Sequence, residues 1–167
     1  MKIFISFCLQ IILFTLQANA QINKVEIVAT GLTCSMCSNA INKQLLSLPD
    51  VNKVDIDLNK NQFTVTLKAN NNYTPKTFKD KIEDAGFFVG SMIISMQVAS
   101  QTVVDNTQIG SYIYIDTKPT NVNGSTKAKV LNKGYVTQAQ YKKLVAMYKK
   151  FPTYAKKNEG IFYIKNI

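Results

Sequence analysis

Two-residue alternation in three short stretches, helical spacing in two others and a long β-prone run predict an α+β fold over the first half of the chain. Taken in order they read β-α-β-β-α-β, the split βαβ arrangement of a ferredoxin-like sandwich. A small α+β C-terminal region is expected to follow. NKVEIVAT (23–30) sets Val25, Ile27 and Ala29 against polar or mixed neighbours, which predicts the first strand. After the cysteine-bearing loop, Ile41, Leu45 and Leu48 recur at helical spacing, and Pro49-Asp50 ends that helix. VNKVDIDL places Val54, Ile56 and Leu58 on one face, Asn59-Lys60-Asn61 turns the chain, and Phe63, Val65 and Leu67 alternate behind it, which makes a hairpin. Thr74-Pro75 is an N-cap with proline at the first helical position, Phe78, Ile82 and Ala85 form the apolar stripe, and Gly86 stands where a C-terminal cap belongs. FFVGSMIISMQV supplies the last strand.

Periodicity weakens between Ala99 and Gly110, so residues 99–109 are expected to be a linker and 110–167 a separate small unit. In that unit SYIYIDT is an expected strand, NVNGS a loop, TKAKVLNKGY a strand and GIFYIKN a last strand. Thr137 and Gln140 have the spacing of a capping box. They open a helix with a stripe of Tyr141, Leu144, Val145, Tyr148 and Phe151, stopped by Pro152. Some sixty residues make a marginal core, so this region is expected to pack on the first domain or on a partner.

MKIFISFCLQIILFTLQANA (1–20) has the grammar of a secretory signal: Lys2 at the start, an apolar run from Ile3 to Leu16, and Ala18-Asn19-Ala20 as a small-x-small cleavage site. The run is shorter than the roughly 20 apolar residues of a membrane-spanning helix. The expectation is an exported chain, periplasmic or secreted, that begins at Gln21 and has no span of its own. Cleavage removes Cys8 and leaves two cysteines, Cys34 and Cys37.

The formal charge is +10, carried by lysines with no arginine among them. Nucleic-acid recognition leans on the bidentate fork of arginine, and these lysines are scattered, so no nucleic-acid partner is expected. The chain has no histidine, no clustered carboxylates and no phosphate loop, which argues against a hydrolase or transferase; no enzymatic activity is expected. The sequons at Asn72 and Asn123 have a meaning only in a eukaryotic secretory pathway.

Cys34 lies in the loop after the first strand and Cys37 at or near the start of the first helix. A helix N-terminus favours thiolate over thiol, and two thiolates that approach one another suit Cu(I) or another thiophilic ion. Structural Zn²⁺ normally takes four ligands, and this chain offers neither histidine nor a second cysteine pair. A thiol-disulfide couple fits the same spacing, although Ser-Met stands between the cysteines and the frame is not thioredoxin-like. Met36 is read as a solvent-facing or loop-packing residue.

GLTCSMC, followed by helix, hairpin, second helix and DAGF, resembles the heavy-metal-associated domain family over about residues 23–97, a domain bounded at 21–98. That family includes copper chaperones, N-terminal domains of copper-transporting ATPases and the periplasmic mercuric-ion binding protein. The resemblance implies a two-coordinate metal site at Cys34 and Cys37, for Cu(I) first and Hg(II) as the alternative. It also implies handover to a transporter or metal ATPase with its own cysteine pair. The family's usual methionine two residues before the first cysteine is Leu32 here, of similar volume and expected to pack beneath the loop. Phe87 follows the glycine after the second helix, where many soluble chaperones carry lysine. It is expected to shield the site or fill core.

Overall fold

A computed structural model of the chain describes residues 20–33, 35–151, 153–156 and 160–167. The expected signal segment before residue 20, Cys34 and the expected helix stop at Pro152 lie outside the described residues.

β1 (Gln21–Thr30) buries Ile22, Val25, Ile27 and Ala29; a bulge between Ile22 and Lys24 explains why the buried set changes parity. α1 (Ser35–Leu46) drives Ile41 and Leu45 fully into the core, and Leu48 packs there from just beyond the helix. β2 (Val51–Asp57) and β3 (Gln62–Leu67) form the expected hairpin, its turn relying on a left-handed Asn61 (φ 50). Phe63 and Val65 are fully buried and Leu67 nearly so, but Ile56 and Leu58 are 37% and 56% exposed, against the expected apolar face. β2 is the outermost strand, with a neighbour on one side only.

α2 (Pro75–Asp84) buries Pro75, Phe78 and Ile82, and the Thr74 amide donates to Thr77 Oγ1 at 3.4 Å. It ends as its sequence predicts. The Gly86 amide (φ 86) donates to Glu83 O at 2.8 Å and the Phe87 amide to Ile82 O at 3.1 Å, the paired bonds of a Schellman motif. β4 (Phe88–Val103) then runs antiparallel to β1. The order β2-β3-β1-β4 completes the ferredoxin-like half, with α1 and α2 supplying its α component.

The stretch read as a linker is built differently. Ala99–Val103 continue β4, and β7 (Thr120–Val130) pairs with it over its length, so NVNGS is strand rather than loop. β5 (Gln108–Ile109), β6 (Tyr112–Tyr114) and β8 (Phe162–Asn166) extend the sheet to eight strands in the order β2-β3-β1-β4-β7-β8-β6-β5. A bulge between Val98 and Gln101, opposite Asn123, scrambles the apolar alternation, with Gly124 in the left-handed region (φ 72) next to it. Around it the ladder is tied by polar side chains, Ser100 to Asn123 at 2.8 Å and Thr102 to Asn121 at 2.6 Å. Periodicity therefore fades where the structure does not.

The first hydrophobic cluster joins Ile27, Phe63 and Met92 to Val122, Val130 and Ile164 of the C-terminal strands. A second lies with α3 (Gln138–Met147) and gathers Ile115, Leu131, Tyr148, Phe151, Tyr154 and Tyr163. Along β8, Phe162 and Ile164 enter one cluster and Tyr163 the other, so the strand is buried on both faces. The Thr137 cap forms, its Oγ1 accepting from the Gln140 amide at 3.3 Å. The helix ends at Met147, short of the expected Phe151. Tyr148, Phe151 and Tyr154 follow in hydrogen-bonded turns that stack their rings edge to face at 5.9 and 5.4 Å. Continuing the helix would carry part of this aromatic set away from the cluster, and its burial, at about 1.5–3 kcal/mol for a fully buried large apolar side chain, outweighs a further helical turn.

Candidate metal centre

β1 delivers Gly31-Leu32-Thr33 to one end of the sheet, and α1 starts at Ser35. Cys37 sits in the first turn of α1 with its side chain partly exposed; Cys34 lies outside the described residues. The first turn carries no acidic residue, so nothing in it opposes the positive end of the helix dipole. A thiolate at this position gains from that field.

Two buttresses hold the loop. Leu32 and Phe87 are half-buried and pack against the main core, which is the core-filling role that was one of the two expected for Phe87. The Schellman turn aims Phe87, whose Cδ1 lies 3.7 Å from where a Gly31 side chain would begin. Gly31 has φ 90, a conformation that a larger residue rarely adopts. The second buttress is the β1–β4 ladder, where Thr30 Oγ1 donates to Phe88 O at 3.3 Å. Ser38, in the first turn of α1, is buried.

Met36 is 81% exposed and points to solvent. The β2–β3 turn lies at the same end of the sheet, since the Ala29 amide donates to Asn61 O at 3.0 Å. There the Lys60 hydrogen bond to Asp57 holds that carboxyl below the usual carboxylate range. Among the described residues no three His, Cys, Asp or Glu side chains gather as a metal cluster. No helix among them is long and apolar enough to cross a membrane. Gly90 and Thr30, which fix the ladder behind the loop, carry little signal in the sequence beyond a lone glycine inside a β-prone run.

A heavy-metal-associated domain matches residues 27–88. The copper-transporting ATPase of Saccharomyces cerevisiae is 44% identical over 64 residues, which is 38% of this chain and 6% of that protein. The chain likewise spans only 9% of the length of a second copper-transporting ATPase, from Arabidopsis thaliana, at 30% identity over 89 residues. The copper chaperone CopZ of Staphylococcus haemolyticus is 38% identical over 68 residues, 41% of this chain and 97% of the chaperone. Among solved structures, the yeast copper transporter domain Ccc2a, in apo and Cu(I)-loaded states, shares 43% identity. It covers 39% of this chain and 88% of its own, with a TM-score of 0.36.

Proposed function

Because the chain belongs to the heavy-metal-associated domain family, we propose that it carries a soft metal ion, Cu(I), between the thiolates of Cys34 and Cys37 and passes it on by ligand exchange. One observation carries the reading furthest: Cys37 stands in the first turn of α1, beside a loop braced on the core by Leu32 and Phe87. A braced loop keeps two donors in place without a third, which suits an ion content with two soft ligands. Hg(II) has the same preference and is the alternative cargo.

Ligand exchange needs no oxidant. Each incoming thiol gives up a proton as its sulfur bonds the ion, each departing thiolate takes one up, and copper stays Cu(I) throughout. The acceptor on this reading is a transporter or metal ATPase with its own cysteine pair, in line with the copper-handling relatives. The chain works as a carrier rather than an enzyme. The character of residues 1–20 supports export to a periplasmic or extracellular space.

Reduced protein is expected to bind one Cu(I) per chain, and Cys34→Ser with Cys37→Ser to abolish binding. Tight binding retained in that double variant would sink the proposal. Zn²⁺ is expected to bind far more weakly, because water or a second molecule must complete its four ligands. A disulfide between the two cysteines should block loading, and bound metal should protect both from alkylation.

A further inference from the structure

The lysines run through the whole chain; the carboxylates do not. Between Asp116 and Glu159 stand ten of the twenty lysines and no acidic residue, so this stretch holds the entire formal charge of +10 and the remainder of the chain is neutral. Lys127 pairs with Glu26 at 2.6 Å and Lys150 with Asp105 at 2.9 Å; among the described residues these are the only ion pairs the stretch makes.

The stretch is centred on α3 and the turns behind it. Tyr141, Leu144 and Val145 face the second cluster, and Tyr148, Phe151 and Tyr154 belong to it. On a helix the positions between these, Lys142, Lys143, Ala146 and Met147, form the opposite face. All four are exposed, Met147 at 64%, and Lys149 and Lys150 follow them, exposed, in the next turn. The carboxylates of Asp105 and Asp116 approach from the β4–β5 and β6–β7 connections and are already matched. Asp105 holds Lys150, and Asp116 holds Lys165 and accepts the Tyr148 hydroxyl at 3.2 Å. Lysines gathered in this way repel one another, a strain that an anionic partner relieves.

The residue types select among anions. Nucleic acid is gripped by the rigid fork of arginine, which the chain lacks. Lysine is a point charge on a flexible stem and suits the numerous, unfixed charges of a headgroup plane. Met147, apolar and exposed among the lysines, gains nothing from a polyanion in water but gains at the boundary between headgroups and acyl chains. We infer that the outer face of α3, with Lys142, Lys143, Lys149 and Met147, seats the chain on a membrane surface that contains anionic lipids. The apolar stripe of α3 is committed to its own cluster, so the attachment is electrostatic and reversible rather than an insertion. None of these residues belongs to the metal loop, and the inference stands apart from the carrier reading. On that reading, it brings the carrier to where a membrane-embedded acceptor lies.

The chain from Gln21 onward holds every strand and helix described and lacks the apolar run of residues 3–16, so it is the form to test. Phosphatidylcholine vesicles that contain phosphatidylglycerol should carry it down on sedimentation at low salt, and vesicles of phosphatidylcholine alone should not. Binding should fade as ionic strength rises from about 0.01 M to about 0.15 M, where the reach of a surface charge contracts from about 30 Å to about 8 Å. Lys142→Gln, Lys143→Gln and Lys149→Gln together should weaken binding by about tenfold or more. The same charge removed from the neutral remainder, by Lys24→Gln, Lys43→Gln and Lys68→Gln, should leave it nearly unchanged. All six side chains are exposed, so both variants are expected to fold, which circular dichroism checks. Equal sedimentation with both kinds of vesicle, none with either, an unaffected first variant, or equal losses in the two variants would each overturn the inference. So would tighter binding, at the same salt, to polyglutamate or to a mixed-sequence DNA duplex, since the face would then fit an acidic protein or a nucleic acid.

Discussion

Residues 20–98 and residues 101–167 share one sheet, yet their strands are kept regular by different means. In the first half, apolar side chains alternate, turns fall on asparagine and glycine, and the helices that cover the sheet have fully buried stripes. In the second half the long β4–β7 ladder is interrupted by a bulge and laced with Ser100–Asn123 and Thr102–Asn121 hydrogen bonds. No residue of its α3 is fully buried, and a knot of tyrosines stands in for an aliphatic core. The first half is stabilised by a pattern that is local in sequence. The second depends on an edge it does not own, since β7 pairs with β4 from Thr120 to Lys129 but with β8 only over Ala128, Lys129 and Val130.

Cutting the chain after Ser100 breaks that dependence and is the largest expected effect. The heavy-metal-associated domain match, residues 27–88, lies wholly within this half, so the metal domain is expected to fold without the rest. Its Cu(I) affinity should stay within about tenfold, or about 1.4 kcal/mol. Solubility should not survive as well, because β4 becomes a long bare edge and Val98 and Ile94 lose the cover of β7. Sedimentation of the shortened chain should show self-association, and the excised 101–167 segment should lack a cooperative melt. A cooperative melt of that segment would show that the halves are independent after all.

Single core truncations sharpen the same contrast. Phe78→Ala on α2 and Tyr154→Ala in the tyrosine knot should each cost about 3–5 kcal/mol in a denaturant titration. The first removes a fully buried ring at the metal domain's centre. The second removes edge-to-face contacts with Tyr148 and Tyr163 and the 2.6 Å hydrogen bond to Leu131 O. Only a Cu(I) affinity that falls with Tyr154→Ala as much as with Phe78→Ala would tie the knot directly to the metal loop.

These regions differ in how far the sequence reveals them, for a physical reason. Val25, Ile27, Phe63 and Val65 announce a half-buried strand because each alternates with a polar neighbour, and Thr74-Pro75 and Ala85-Gly86 mark a helix at both ends. The frame around Cys34 and Cys37 was legible for the same reason. Asn121, Asn123 and Ser125 look like loop residues because they are exposed, and their strand is held by β4, from the Val103–Thr120 pair outward, a partner distant in sequence that no local pattern encodes. The outward turn of Phe88 was not legible either, because Gly90 is an extra residue between the Val28–Ser91 and Ala29–Val89 pairs, which shifts parity, and a lone glycine gives only a hint of such a bulge.

Alkaline titration offers a third, smaller test. Seven of the eight tyrosines lie between residues 105 and 167. Burial pushes the hydroxyls of Tyr112 and Tyr154 well above the ordinary value of 10, and burial with Asp80 and Glu83 nearby does the same for Tyr135. Burial, then the Asp116 carboxylate, takes Tyr148 to about 12. Unfolded tyrosines lose their protons near pH 10 while these folded ones keep theirs, so the unfolded state binds fewer protons. Stability is therefore complete below pH 10 and falls as pH rises from 10 toward 12. Denaturant midpoints at pH 8, 10 and 11.5 should decline only in the upper interval, and less steeply in Tyr148→Phe.

The two N-caps give the smallest contrast. At Thr137 the side chain accepts the Gln140 amide at 3.3 Å, and α3 behind it has no fully buried residue to hold it in place. At Thr74 the bond runs from the residue's own amide to Thr77 Oγ1 at 3.4 Å, which a change of the Thr74 side chain leaves standing. Pro75 also fixes the first helical turn, and Phe78 and Ile82 anchor α2. Thr137→Ala should therefore cost about 1 kcal/mol, near the middle of the range for a lost cap, and Thr74→Ala about 0.5 kcal/mol or less. Local hydrogen exchange should follow the same order, with amides at the start of α3 losing protection in Thr137→Ala while those of α2 barely change in Thr74→Ala. Equal costs would mean that α3 is anchored by Tyr141, Leu144 and Val145 as firmly as α2 is by its buried stripe, and the contrast between the halves would end at their strands.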